Sequence, residues 1–279
     1  MRHLRWLFLG WISTVSLSAQ TPADSVIFSQ YLEYATNLQL GKRSPGERVA
    51  ATGLFFLNTP YVAHTLEAPG PERLRVNLRE MDCNTFVENV LALSLLVDAG
   101  KTDWATFKAN LETLRYRNST AKEGYTARLH YASDWLNSNA VKGFLDVVRV
   151  PGKSRAFTPK VFYMSQHPEA YAALKAQPSW VPLIAQREKE LSDFVFEWFP
   201  KRLIGESSAF LQPGDVVLIS TSIPGLDFSH MGFVLRQHGK AYLLHASSAV
   251  GKVTVTELPL NKYLAGIKND TGIVLARPW

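Results

Sequence analysis

Asn77 to Val97 reads NLREMDCNTFVENVLALSLLV and contains the only cysteine of the chain, Cys83. After Asp82 the apolar residues Phe86, Val87, Val90, Leu91 and Leu93 to Val97 recur at helical spacing. That spacing predicts a helix that starts at or just after Asp82 and buries one face. Asp82 can cap the free amides of the first turn, which sets Cys83 near the positive end of the helix dipole. A thiol in that position is biased toward thiolate. The spacing from Cys83 to Val87 and Val90 also points the sulfur along the buried face, as suits a nucleophile on a rigid element. Taken alone, one cysteine ahead of an apolar helix also reads as a small buried hydrophobe.

The chain begins MRHLRWLFLGWISTVSLSAQ. A basic start (Arg2, His3, Arg5), a short apolar run from Trp6 to Leu17 and the small residues Ser18-Ala19 predict a secretory signal peptide over residues 1–19. The apolar run is short for a bilayer span, and no later stretch reaches that length, so no stable membrane insertion is expected. The mature protein is expected to be exported and soluble. One cysteine cannot form an internal disulfide, so stability must come from packing. Apolar residues make up 46% of the sequence and aromatics 11%, enough material for a core in a chain of this length. Without Arg2 and Arg5 the net charge of +6 falls to near +4. This mild excess is compatible with an anionic polymer or fragment as substrate. With no compact Lys/Arg cluster, it does not indicate nucleic acid.

Working outward from the Cys83 helix, Thr21 to Gly53 reads as helical, with a second short helix at Gly46 to Thr52. A surface loop then leads to a short strand at Leu74 to Leu78. Trp104 to Leu114 is a second amphipathic helix. Arg115 to Asn139 is aromatic and charged. Its first half reads as a long ordered loop of the kind that carries function, and Leu129 to Leu136 as a helix. Val141 to Val150 fits an edge strand, and Pro168 to Pro178 and Pro182 to Trp198 fit two more helices. From Leu211 the character changes: QPGDVVLIS is a turn and a strand, and SHMGFVLRQHGKAYLLHASS is a hairpin around His238-Gly239-Lys240. KVTVTEL and IVLARP are further strands. A helical first part and a small antiparallel sheet at the end make an α+β fold. One catalytic domain over 20–279, with an insertion around 98–210, accommodates a nucleophile that precedes the sheet.

His230 opens a strand on which His230, Gly232 and Val234 share a face, and His245 can lie across the hairpin from that start. Cys83 on a helix packed against this sheet would complete a nucleophile, a base and an orienting group. Any chain with one cysteine and several histidines offers such a triple, and the strand histidines also read as satisfied polar residues. Zinc held by Cys83, His230 and His245 is a rival, but HExxH, CxxC and His pairs at helical spacing are absent. Motifs for nucleotides, and the G-x-S-x-G elbow, are absent too. Neither a metal nor another cofactor is expected.

The segments DCNTFVENVLAL, LQPGDVVLIS, SHMGFVL and LLHASSAVG resemble the NlpC/P60 superfamily of papain-like cysteine peptidases and amidases. With PYVAHTLE and RLHYASDW they resemble its N-acetylmuramoyl-L-alanine amidase-like family, DUF1460, from about Gly53 onward. The superfamily commonly has Ser-Gly after the cysteine, where this chain has Asn84-Thr85. The resemblance implies a papain-like core, with the Cys83 helix packed on the sheet and helical insertions around it. It implies Cys83 as nucleophile, His230 as general base and acid, His245 as the orienting residue, and Tyr61 beside the nucleophile lining an oxyanion or substrate pocket next to Asp82. It further implies cleavage of the amide between N-acetylmuramic acid, in its 1,6-anhydro form, and L-alanine in peptidoglycan fragments (muropeptides), in the periplasm. The alternatives are an endopeptidase that cuts after γ-D-Glu in the stem peptide and a non-catalytic murein-binding protein. For such a substrate, Arg115 and Arg128 are candidates to bind a stem-peptide carboxylate, and His130 is a further substrate-binding candidate. Tyr131 and Trp135 are candidates to cover a sugar ring.

Overall fold

The computed structural model describes residues 22–67, 70–205 and 208–279, and the predicted leader at 1–19 lies outside them. The described helices are α1 (Pro22–Asn37), α2 (Pro45–Phe55), α3 (Cys83–Asp98), α4 (Trp104–Arg115), α5 (Ala132–Val141), α6 (Tyr163–Gln166), α7 (Ala172–Ala176), α8 (Val181–Leu191) and α9 (Leu260–Gly266). The strands are β1 (Leu145–Val147), β2 (Arg155–Phe157), β3 (Phe196–Pro200), β4 (Val216–Thr221), β5 (Phe228–Gln237), β6 (Lys240–Ser247), β7 (Lys252–Val255) and β8 (Asp270–Pro278).

All eight described strands join one antiparallel sheet in the order β2-β3-β8-β4-β5-β6-β7, with β1 also pairing β8. Helices packed on an open sheet make this the expected α+β fold. The sheet is larger than the sequence suggests, because the 98–210 region supplies β1, β2 and β3. β3 takes Gly272 to Val274 of β8 as partners, and β1 takes Ala276 to Pro278. Phe196–Pro200, expected at the end of a helix, is therefore a strand. Its apolar run is compatible with either state, and the β8 edge beside it decides.

The strand expected at Leu74 to Leu78 does not form. Its backbone is claimed by side chains: Asp24 Oδ1 accepts from Leu78 N–H at 2.9 Å, and the Arg115 guanidinium donates to the Arg75 carbonyl.

α3 is the central helix. Phe86, Val87, Val90, Leu91, Ala92, Leu93 and Leu96 are fully buried between α1, α2 and α4 and one face of the sheet, where Phe233, Leu235, Leu244 and Ala246 meet them. On the opposite face Val217, Val234 and Leu243 pack with α9, through Leu260 and Leu264. A third cluster around Tyr131, Met164, Ile184 and Leu191 forms the core of the region that carries α6, α7 and α8. Two local features set the register of the sheet. The β5–β6 turn has two residues, His238 and Gly239, with φ of 49° and 77°; two positive φ values make the mirror-image turn whose twist matches a hairpin. Ahead of β4, Gly214 (φ 78°) lies so close to α2 that a Cβ would overlap the Gly46 carbonyl. Only glycine lets that turn seat against the helix.

Among the described residues no helix is long and apolar enough to cross a membrane.

Candidate active site

Asp82 caps α3, as its position predicts. Its Oδ1 accepts from the Thr85 N–H and hydroxyl, both at 2.8 Å, and Thr85 Oγ1 in turn accepts from the Asp82 N–H at 3.0 Å. A reciprocal cap of this kind contributes about 1 kcal/mol and fixes the entry of the chain into the helix. Cys83 is the first helical residue, half-buried and unbonded to another sulfur. Tyr61 is held beside it by a short parallel bridge to Met81, in which Val62 N–H donates to Met81 O and Met81 N–H to Pro60 O.

β5 delivers His230 with an aim set by a bulge. Ser220 pairs Phe228 and Ile219 pairs His230, so Ser229 is an extra residue in the ladder. Phe228 and Met231 consequently both enter the core under α3, and His230 is carried to the other face. His245 on β6 lies diagonally across, its direct partner being Gly232 by the hairpin register. The diagonal is closed by a ring-to-ring hydrogen bond, His230 Nε2 to His245 Nδ1 at 2.6 Å. Gly232 makes that approach possible: a Cβ there would lie 2.6 Å from Leu244 O and 2.9 Å from His245 Cβ. Gly232→Ala is expected to cost about 1–3 kcal/mol in urea unfolding and to part the two imidazoles.

Burial governs protonation here. It pulls His230 down to about 3, with His245 adding to the effect, and His245 down to about 4. Both rings are therefore neutral at pH 7. Burial pushes the Cys83 thiol up to about 12, and the Asp82 carboxylate adds to this. The N–H groups of Met231, Cys83 and Asn84 oppose the rise but do not overcome it. The thiolate bias expected from the helix end is thus overturned: desolvation and the capping carboxylate outweigh the dipole. The resting groups are a neutral thiol and a neutral imidazole.

Cys83 and His230 line one cleft of about 400 Å³, together with Tyr61, Asp82, His130 and Tyr131. Among the described residues no three His, Cys, Asp or Glu side chains are grouped so as to hold a metal ion.

A family model described as N-acetylmuramoyl-L-alanine amidase-like matches residues 51–273. The chain belongs to the N-acetylmuramoyl-L-alanine amidase-like family. It is an amidase-like enzyme. A solved N-acetylmuramoyl-L-alanine amidase from Bacteroides uniformis is 37% identical, with a TM-score of 0.80 over 84% of this chain and 98% of that one. A Bacteroides fragilis structure carrying a provisional xylanase name is 39% identical, with a TM-score of 0.78 over 82% and 99%. A DUF1460 protein from Legionella pneumophila, 21% identical, shares the fold, with a TM-score of 0.66 over 92% and 94%. None of the curated proteins matches.

In this amidase-like chain the candidate residues between Arg115 and Trp135 divide. His130 faces the cleft, with Nε2 at 2.8 Å from Tyr125 O and its ring against Tyr125. Tyr131 also lines the cleft; its hydroxyl donates to Glu188 at 2.6 Å and accepts from Met164 N–H at 2.7 Å. The other three are turned to structure. Trp135 is 0% exposed and sits in the main core, so it cannot cover a sugar. Arg115, 2% exposed, pairs with Glu88 on α3 at 2.7 Å. Arg128 is buried against Glu67 and Glu72 and packs over the Tyr125 ring. Arg115 and Arg128 line a small polar pocket beside the cleft. Removing one partner of a buried pair strands the other charge, so Arg115→Met is expected to destabilise the fold by about 3–5 kcal/mol in urea unfolding.

Sequence reasoning missed Asp227, 1% exposed, which lines the cleft three residues before His230. Its Oδ2 accepts from Ser133 N–H in the first turn of α5, and its Oδ1 from Phe228 N–H, both at 2.7 Å. Phe162 and Tyr163 N–H both donate to Gly225 O at 3.0 Å. The starts of α5 and α6 thus grip the loop that launches β5 and His230. His64, which has no motif support, also lines the cleft.

Proposed function

We propose that this chain is a papain-like cysteine amidase of the NlpC/P60 type that hydrolyses the bond between N-acetylmuramic acid, in its 1,6-anhydro form, and L-alanine in peptidoglycan fragments. One observation carries the reading: His230 is bound to His245 at 2.6 Å while sharing a cleft with the only cysteine. The family and its Bacteroides uniformis relative support an amidase acting on muropeptides.

The hydrogen bond between the rings admits two proton arrangements, and base catalysis requires one of them. With its proton on Nε2, His230 donates to His245 Nδ1 and leaves its own Nδ1 as the free base. The opposite arrangement would leave His230 without a lone pair for the thiol proton. Because the resting groups are neutral, the proton passes from Cys83 Sγ to His230 as sulfur attacks the lactyl carbonyl carbon. The N–H groups at the start of α3 and the Tyr61 hydroxyl stabilise the developing oxyanion; loss of one such donor costs about 3 kcal/mol of barrier. His230 returns the proton to the L-alanine nitrogen as the C–N bond breaks, leaving a muramoyl thioester on Cys83. Water, deprotonated by His230, then releases the free lactyl carboxylate and regenerates the thiol.

The catalytic unit in this reading is a single domain over 20–279, exported by the 1–19 leader to the periplasm. The direct test is mass spectrometry of products from defined muropeptides, with and without the anhydro sugar. Free stem peptide plus intact saccharide is the expected result. A product retaining sugar-L-Ala-D-Glu would make the chain an endopeptidase, and no turnover would make it a binding protein.

The depressed imidazoles set the pH dependence. A general base works while it is neutral, so kcat/KM should hold its value well below the ordinary histidine pKa of about 6.5 and fall only as pH approaches about 4. Stability moves in a related window. Unfolded histidines bind protons below about 6.5 while the folded pair stays neutral, so the unfolded state holds more protons and stability drops as pH falls from there toward 4. A kcat/KM profile with its acid limb at pH 6–7 would contradict the assignment.

A further inference from the structure

A second cleft, of about 300 Å³, opens beyond the imidazole pair. His230 lines both clefts. Cys83, Tyr61 and His130 line only the first, and His245, Tyr263, Asn269 and Asp270 only the second. Two bulges shape its wall. Ser229 is the extra residue of β5, and Thr271 is the extra residue of β8, where Ser220 pairs Gly272 and Thr221 pairs Asp270. Ser229 Oγ reaches Asp270 Oδ1 at 3.3 Å, and Asp270 is 4% exposed.

Splitting an amide divides the substrate at one bond. The acyl half stays on sulfur through the thioester, so it remains in the cleft that Cys83 lines. The nitrogen half takes its proton from His230 Nδ1 beside the sulfur and, once the bond is broken, departs past the imidazole that lines both clefts. We propose that the second cleft, bounded by Ser248, Tyr263, Asn269 and Asp270, receives the leaving stem peptide, while the saccharide stays in the Cys83 cleft. This rests on the amidase reading above. The lining fits an extended peptide: Asn269 offers an amide with donor and acceptor, as a peptide unit requires. Asp270 and the Ser248 hydroxyl accept peptide N–H groups, and the Tyr263 ring supplies an apolar side.

The test compares kcat/KM on two anhydro-muropeptides that share one sugar, the first carrying L-alanine alone and the second a tetrapeptide. The unaltered protein should favour the longer by about tenfold or more, and that ratio should fall about tenfold in Asn269→Ala and in Ser248→Trp, which fills the cleft. Both residues are exposed. A ratio unchanged in both variants, with both substrates still cut, overturns this assignment and leaves the amidase reading standing. Absence of hydrolysis by the unaltered protein overturns both. As a second measurement, free tetrapeptide should bind Cys83→Ala protein in calorimetry and bind more weakly once Ser248→Trp is added. Equal binding to both also overturns it.

Discussion

Cys83→Ser should fold like the parent and lose turnover by about 10⁴-fold or more, since removal of a nucleophile of this kind disables the whole unit. Cys83 stands at the start of a capped helix whose stability comes from Asp82, Thr85 and a buried apolar face, none of which the substitution touches. The thermal midpoint should therefore move little. The chemical loss is large because a hydroxyl is much harder than a thiol to deprotonate, and His230 is held at about 3, a weak base for the task. Near-parental muropeptide turnover by the serine variant would remove the cysteine from the mechanism. Loss of parental activity in EDTA, with recovery on adding zinc, would do the same.

His230→Ala should cost a comparable factor, about 10⁴ or more, because in the proposed mechanism the same ring takes the thiol proton and protonates the leaving nitrogen. His245→Ala should cost less. His245 touches His230 and not the first cleft, so its loss frees the His230 ring to rotate and change tautomer without removing the base. Iodoacetamide alkylation of Cys83 against pH separates the two roles. Without His230 the thiol should react only as pH climbs toward its own high pKa, while without His245 the rate should fall by a smaller factor. Equal losses in both variants would make the pair a single unit, and an unchanged His245→Ala would take His245 out of the site.

The elements that position the site were legible where local sequence and tertiary structure agree. α3 is a sixteen-residue helix with a cap at one end and a nearly continuous buried face, and its period stands out against any neighbour. The β5–β6 hairpin is marked by His238-Gly239, two residues that accept positive φ. β3 was hidden because its state depends on the β8 edge, contributed some seventy residues later. The Leu74 to Leu78 segment was misread because Asp24 and Arg115, far away in sequence, take its backbone groups.

The site shows the same division. The His230–His245 contact follows from hairpin register, but the bulge at Ser229 that aims His230 does not. Gly232 carried a signal that could have been used: a glycine inside an apolar strand marks a close approach. Charge was the least legible property. The helix end at Cys83 suggested an easily formed thiolate, yet its desolvation cost depends on the whole fold. Arg115, Arg128 and Trp135 looked available for substrate only because Glu88, Glu67 and the surrounding core could not be seen beside them.

The central claim, that Cys83 is acylated by the sugar half of a muropeptide, can be read in one measurement. An acid quench during turnover of an anhydro-muropeptide, followed by intact-protein mass spectrometry and peptide mapping, should find the N-acetylmuramoyl acyl group as a thioester on the peptide that contains Cys83. An adduct that retains L-Ala-D-Glu, or turnover without any adduct on Cys83 in the parent and in variants slowed in deacylation, would contradict it.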